Sequence, residues 1–160
     1  MRCAVIDSRR ALVNQKLYFA DLVSTQAAAA EAAARRALVQ ATLFHLHTAY
    51  RGYLGEIAAT QRRDLDAPNA RVASRILADL GVTSPELEEL AALEQSGGWP
   101  ASLLSAYAEA SAIVASKPVQ QSSELRLADV TTDADVEDCR RWLTAFRALV
   151  EAHRERFQEW

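Results

Sequence analysis

Three histidines, His45, His47 and His153, are the first residues of this chain that could do chemistry. A carboxylate-bridged di-metal site in a helical bundle needs Glu-x-x-His on two helices, because residues three apart share a face and reach one ion. The residues three before these histidines are Thr42, Phe44 and Val150, so none has its carboxylate. His45 and His47 are two apart and face nearly opposite sides of a helix, where they cannot share a metal. Two cysteines, Cys3 and Cys139, are too few for a zinc cluster. A disulfide between them is not expected, and nothing calls for an oxidising compartment. Gly97-Gly98 leads a helix but lacks the lysine and further glycines of a phosphate loop. Gly-x-Ser-x-Gly is absent. The expectation is no metal and no cofactor, with no residue singled out as catalytic, and whether the protein is an enzyme stays open with the balance against it.

Weaker patterns remain. Arg147 and His153 have the spacing of an Arg…His pair used by some helical ribonucleases and toxin components, but Ala148 stands where those carry a polar residue. His153 also falls on an apolar stripe, which reads as a satisfied core histidine. His47 and Arg51 lie one turn apart on the polar flank of a long helix. They could line a pocket between helices, where bundles hold ligands; a solvated edge is the plainer reading. Asn14, Tyr18 and Asp21 share a helix face and could touch a partner. Trp142, Leu149 and Trp160 widen the apolar arc of the last helix, and large aromatics at such an edge are favoured interface anchors. The arginine pairs 35–36, 62–63 and 140–141 have no interleaved aromatics and read as solvated faces.

The elements that position these residues are helices. The chain is 160 residues long and half hydrophobic, but 32 of those residues are alanine. Alanine and leucine with few glycines and prolines favour helix over sheet. A chain of this length makes one domain. The net charge of −3 makes no case for nucleic acid or an anionic membrane. It is unevenly spread, +4 over residues 1–80 and −7 over 81–160, which packing of the halves against each other would partly cancel. Ser8-Arg9-Arg10 resembles a twin-arginine signal, but Lys16 and Asp21 interrupt the apolar stretch that should follow, and the segment reads as amphipathic helix. No run approaches the ~20 apolar residues of a membrane span, so the expected location is the cytoplasm.

Residues 1–7 are expected to be a disordered extension, with Ser8 capping the first helix. From there to Asp64 no proline occurs, and one unbroken helix would be ~85 Å long. The chain must fold back between Ser24 and Arg36, with Ser24 or Thr25 as a cap. The second helix, roughly 33–64, is large and apolar on one arc (Leu43, Leu46, Tyr50, Tyr53, Ile57). The opposite seam is small (Ala41, Thr48, Gly52, Gly55), which predicts close approach of another backbone. Asn69 caps a short helix whose inner face is Val72, Ile76, Leu77 and Leu80, stopped by Gly81. Ser84-Pro85-Glu86 starts a fourth, and Trp99-Pro100 a fifth that ends before Pro118. Residues 116–131 read as a flexible connection. The last helix, from Thr132 or Asp133, carries the clearest stripe: Val136, Cys139, Leu143, Phe146, Val150, His153, Phe157.

Asn14-Gln-Lys-Leu-Tyr-Phe-Ala20 and the Leu-Phe-His-Leu core of residues 41–46 resemble a family of short bacterial proteins known only as a domain of unknown function. The likeness extends to Ser84-Pro-Glu-Leu and to Trp160. It implies a helical fold and no activity, so no functional residue can be carried over. The sequence thus predicts an all-α, up-and-down bundle of five to six helices in one domain spanning 8–160. The first, second, penultimate and last helices form its core. The expected function is that of a non-enzymatic interaction or adaptor protein with an unidentified protein partner, self-associating as a homodimer through the C-terminal helix. The alternative is a small-molecule binder, or a weakly signed enzyme such as a helical ribonuclease or toxin-type component, with its site beside the central helix.

Overall fold

The computed structural model describes residues 2–112 and 134–158. Among them are six helices and no strand: α1 (Arg2–Ala29), α2 (Ala32–Thr60), α3 (Ala70–Asp79), α4 (Pro85–Gln95), α5 (Trp99–Ser111) and α6 (Val136–Gln158). The chain is an all-α helical bundle. No helix is long and apolar enough to cross a membrane, among the described residues.

The fold-back lies at Ala30-Glu31, inside the predicted window. Neither Ser24 nor Thr25 caps α2: the N-cap is Glu31, with no side-chain cap bond. Ser24 is buried instead, and its hydroxyl donates to the Asp21 carbonyl at 2.9 Å. The alanines on both sides favour helix so strongly that the break spans only two residues. Helix α1 is already running at Arg2, so residues 2–7 are helical and Ser8 lies within the helix rather than capping it.

Helix α1 packs on the small-residue seam of α2, as the glycines predict. A Cβ on Gly52 would sit 3.4 Å from Val13 Cγ2, an ordinary contact. Gly55 is tighter. A Cβ there would stand 3.1 Å from the Leu65 carbonyl oxygen and would collide with the Arg9 guanidinium. The absent side chain thus makes the path by which Arg9 crosses α2. Gly55→Leu should therefore destabilise the fold by about 1–3 kcal/mol through overpacking. Gly52→Ala should be neutral or slightly stabilising, since alanine is the better helix former by ~1 kcal/mol. Urea unfolding of both variants checks this, and a Gly55→Leu protein as stable as wild type would refute the packing described here.

The opposite face of α2 builds the core. Tyr50, Tyr53, Leu43, Leu46, Leu54 and Ile57 are fully buried. Helix α6 lays Cys139, Leu143, Phe146, Val150 and His153 on them, all buried as the stripe predicts. It runs antiparallel to α1, because Arg147 bonds Asp21 and Arg154 bonds Asn14. Thr132 and Asp133 lie outside the described residues. The observed start of α6 is held by Asp135, whose carboxylate accepts from Asp138 N–H at 2.8 Å.

The short helices close one side. Asn69 caps α3 by accepting from Val72 N–H, and Ser84 caps α4 from Leu87 N–H, both as predicted. Gly81 and Gly97 adopt φ of 72° and 73°, the left-handed conformation that glycine takes without strain. The inner face of α3 is rotated from the expected one. Ala70, Ala73 and Leu77 are buried, whereas Ile76 and Leu80 are exposed. The Glu94 carboxylate of α4 explains the rotation. It accepts from Ala70 and Arg71 N–H at 2.8 and 3.2 Å and from the Tyr50 hydroxyl at 2.6 Å, and so fixes the α3 N-terminus against the core. The expected connection 116–131 lies outside the described residues.

Candidate ligand cleft beside the central helix

A cleft of about 520 Å³ opens where α1, α2, α5 and the loop after α2 meet. That volume lies within the range of small-molecule sites. Helix α1 supplies Arg9 and Leu12, and α5 supplies Tyr107. Helix α2 supplies Phe44, His47, Thr48, Arg51 and Gly52, which recur on one flank because they are three to four residues apart. Asp64 and Asp66 form the outer rim. The His47 ring lies flat on Tyr107, centroids 3.7 Å apart and planes within 7°. Burial, aided by the Arg51 charge, lowers the His47 pKa, so this ring is neutral at pH 7.

Both guanidinium groups are tied to rim carboxylates, Arg9 to Asp64 and Arg51 to Asp66. The carboxylate side chains are 90% and 78% exposed, so these ion pairs are weak ones. The Arg51 Nε is buried and has no hydrogen-bond partner among the described residues. Such a donor is costly to leave unpaired. The sequence had placed His47 and Arg51 together on the polar flank of α2, and the structure brings them into this cleft. Arg9, Tyr107, Asp64 and Asp66 were missed, since they come from other elements.

The other singled-out residues lie elsewhere. Asn14 accepts a hydrogen bond from Arg154 Nη1 at 2.7 Å, and that arginine also grips the buried Glu56 carboxylate through Nε and Nη2 at 2.8 and 2.7 Å. Tyr18 is 60% exposed, beside a small groove that Asn14 and Arg147 share. Trp142 does not stand at a free edge: it is buried to 6% exposure in the core. The stripe of α6 is wider than a wheel suggests, because α6 is covered from more than one side. Leu149 is half-buried against the same core. Trp160 lies outside the described residues.

His153 is fully buried, as a core histidine. Its Nδ1 is 2.7 Å from the Tyr53 hydroxyl and its Nε2 is 3.2 Å from Glu89. A neutral ring has one N–H, which must sit on Nε2 to donate to the carboxylate, so Nδ1 accepts from Tyr53 O–H. Burial lowers the His153 pKa, opposed by Glu89, and raises that of the Tyr53 phenol. Arg147 turns away to Asp21, at 3.1 Å. Within one chain, the ribonuclease-like pair is not brought to a common site.

The depressed histidines set a pH dependence. His45, His47 and His153 all have folded pKa values below the ordinary 6.5. Below pH 6.5 the unfolded chain therefore binds more protons than the folded one, and stability falls as pH falls. It is fully present above the unfolded pKa and is lost progressively below 6.5, until the folded pKa values are passed. Urea midpoints measured from pH 7.5 to 5 should decline below 6.5, and His153→Gln should flatten the decline. A flat wild-type profile would refute the assignment.

The sequence model of a family of unknown function, DUF6586, matches residues 7–160. The chain belongs to this family. The match bears out the resemblance read from residues 14–20 and 41–46, and it leaves out residues 1–6 of the segment read as an extension. No curated protein and no solved structure matches the chain. Membership of DUF6586 supplies no activity, so function has to be argued from the geometry of this member.

Proposed function

We propose that the protein is a non-enzymatic binding protein whose small-molecule ligand lies in the cleft between α1, α2 and α5. The buried, unpartnered Nε of Arg51 carries this reading. It belongs to a residue that lines the cleft together with a flat aromatic stack and a second guanidinium. Among the described residues, nothing in the cleft pairs a nucleophile with a base. His47 is held face-on against Tyr107, and the Thr48 hydroxyl donates to the Phe44 carbonyl at 2.7 Å. Binding rather than turnover fits these side chains. The test is a fragment screen followed by protein NMR. Hits should shift the amides of Thr48, Arg51 and Gly52 together, and an absence of any hit that shifts this set would sink the proposal.

A second reading has its own observation. Leu12, Tyr18 and Leu22 of α1 are 40%, 60% and 46% exposed, and Phe44 of α2 is 49% exposed. Tyr18, Phe19, His45 and Phe44 form a chain of ring contacts, with the Lys16 ammonium 5.8–5.9 Å from the Phe19 and Phe44 centroids. Clustered aromatics of this kind favour a protein partner. With Trp142 buried, self-association would use α1 rather than the edge of α6. Sedimentation of wild type against Tyr18→Glu/Phe44→Glu tests it: a dimer should dissociate in the variant, and a wild type monomeric at high micromolar concentration would end the idea.

A further inference from the structure

We infer that the ligand of this cleft is a small aromatic carboxylate, and that Asp64 and Asp66 are its built-in competitors. The inference rests on the binding reading above and adds the chemistry. Two guanidinium groups from different helices converge on one cleft, and each is occupied by a carboxylate of the chain's own loop. A guanidinium fork matches a planar carboxylate through two parallel hydrogen bonds. Arg51 at present engages Asp66 through Nη2, and its Nε is buried without a partner. A ligand carboxylate that displaces the exposed Asp66 takes over Nη2, and its second oxygen can reach Nε from the place that Asp66 leaves, which gives the fork its two-point match.

The rest of the wall selects the body of the ligand. Phe44 and Leu12 are large, apolar and about half exposed, and the His47–Tyr107 stack presents flat rings. An aromatic ring gains offset or edge contacts with such surfaces. His47 is neutral at pH 7, so its ring contributes a surface rather than a charge. The exposed side chains of Asp64 and Asp66 can swing into water when displaced, and an exposed ion pair holds only weakly. They hold the Arg9 and Arg51 guanidinium groups at the rim and yield to an anion that binds better.

The experiment is an NMR titration of the full chain at pH 7.5 with benzoate and 4-hydroxybenzoate, with acetate, benzamide and inorganic phosphate as comparisons. The aryl carboxylates should shift the amides of Thr48, Arg51 and Gly52 saturably. Acetate and benzamide should bind at least tenfold more weakly, one lacking the ring and the other the charge. Arg51→Gln should weaken benzoate at least tenfold, because a hydrogen bond to a charged group is worth about 1.5–3 kcal/mol. Asp66→Asn should tighten it by up to about fivefold, the range of the ion pair released. That gain cannot come from a damaged fold, which keeps the test decisive even if Arg51→Gln is unstable. Equal binding of benzamide would overturn the anion while leaving a binding cleft. Equal binding of acetate or phosphate would overturn the aromatic body. Weaker benzoate binding in Asp66→Asn would overturn the competitor role. Failure of all five probes, with fragment hits still reaching the cleft, would overturn the aromatic carboxylate but not the binding function.

Discussion

Glu56→Ala should lower the unfolding free energy by about 3–5 kcal/mol, the cost of breaking a buried ion pair and leaving its partner uncompensated. Glu56 is 1% exposed on α2, and the Arg154 guanidinium of α6 grips both its oxygens while reaching Asn14 of α1. Arg10 adds a longer contact at 3.5 Å. One carboxylate therefore ties three helices at the end of the bundle away from the hairpin turn. Removing it strands Arg154, whose side chain is only 15% exposed. The same physics predicts that Glu56→Leu/Arg154→Met costs much less than the sum of the single changes, because no buried charge is then left alone. Urea unfolding of the two singles and the double measures this. Additive losses would mean that the pair is solvated and the network contributes little.

Phe146→Ala should cost a similar 3–5 kcal/mol, for a different reason. The ring is fully buried and meets Tyr50, Tyr53 and Trp99 at centroid distances of 5.9, 5.8 and 5.1 Å. It is the point where α2, α5 and α6 converge. Truncation loses the transfer free energy of the ring and leaves a cavity that three rigid aromatics cannot fill. Domains are stable by only about 5–15 kcal/mol, so either change takes a large share. Thermal unfolding by circular dichroism reads it, and a loss below ~1 kcal/mol would mean that the aromatic cluster is not the centre of the core. Both losses arise away from the cleft lining, so mildly destabilised variants there can be read separately from binding.

The fold was largely legible because its signals are local. Asn69, Ser84, Gly81 and Gly97 act within one turn of the chain, and the stripe of α6 needs only the helical period. The position of the turn at Ala30-Glu31 was bounded but not pinpointed, since alanine carries no stop signal. His153 was recognisable as a core histidine from its place on that stripe, whereas its partners Tyr53 and Glu89 lie 100 and 64 residues away. Wheel geometry misjudged Trp142, Ile76 and Leu80, because burial depends on how many neighbours cover a helix and not on its own pattern.

By itself, then, the sequence determined an all-α bundle, its caps and turns, its core stripe, and the placing of His47 and Arg51 on one flank of α2. The tertiary structure alone decided that Arg9, Tyr107, Asp64 and Asp66 would join them. It alone decided that Glu56 would be buried with Arg154, and that Asn14, exposed on α1, would brace that pair. Hydrophobic periodicity and capping act over a few residues and leave a trace in any single helix. Charge pairing and cleft walls join residues from separate helices, and their positions follow from packing angles that no local pattern encodes.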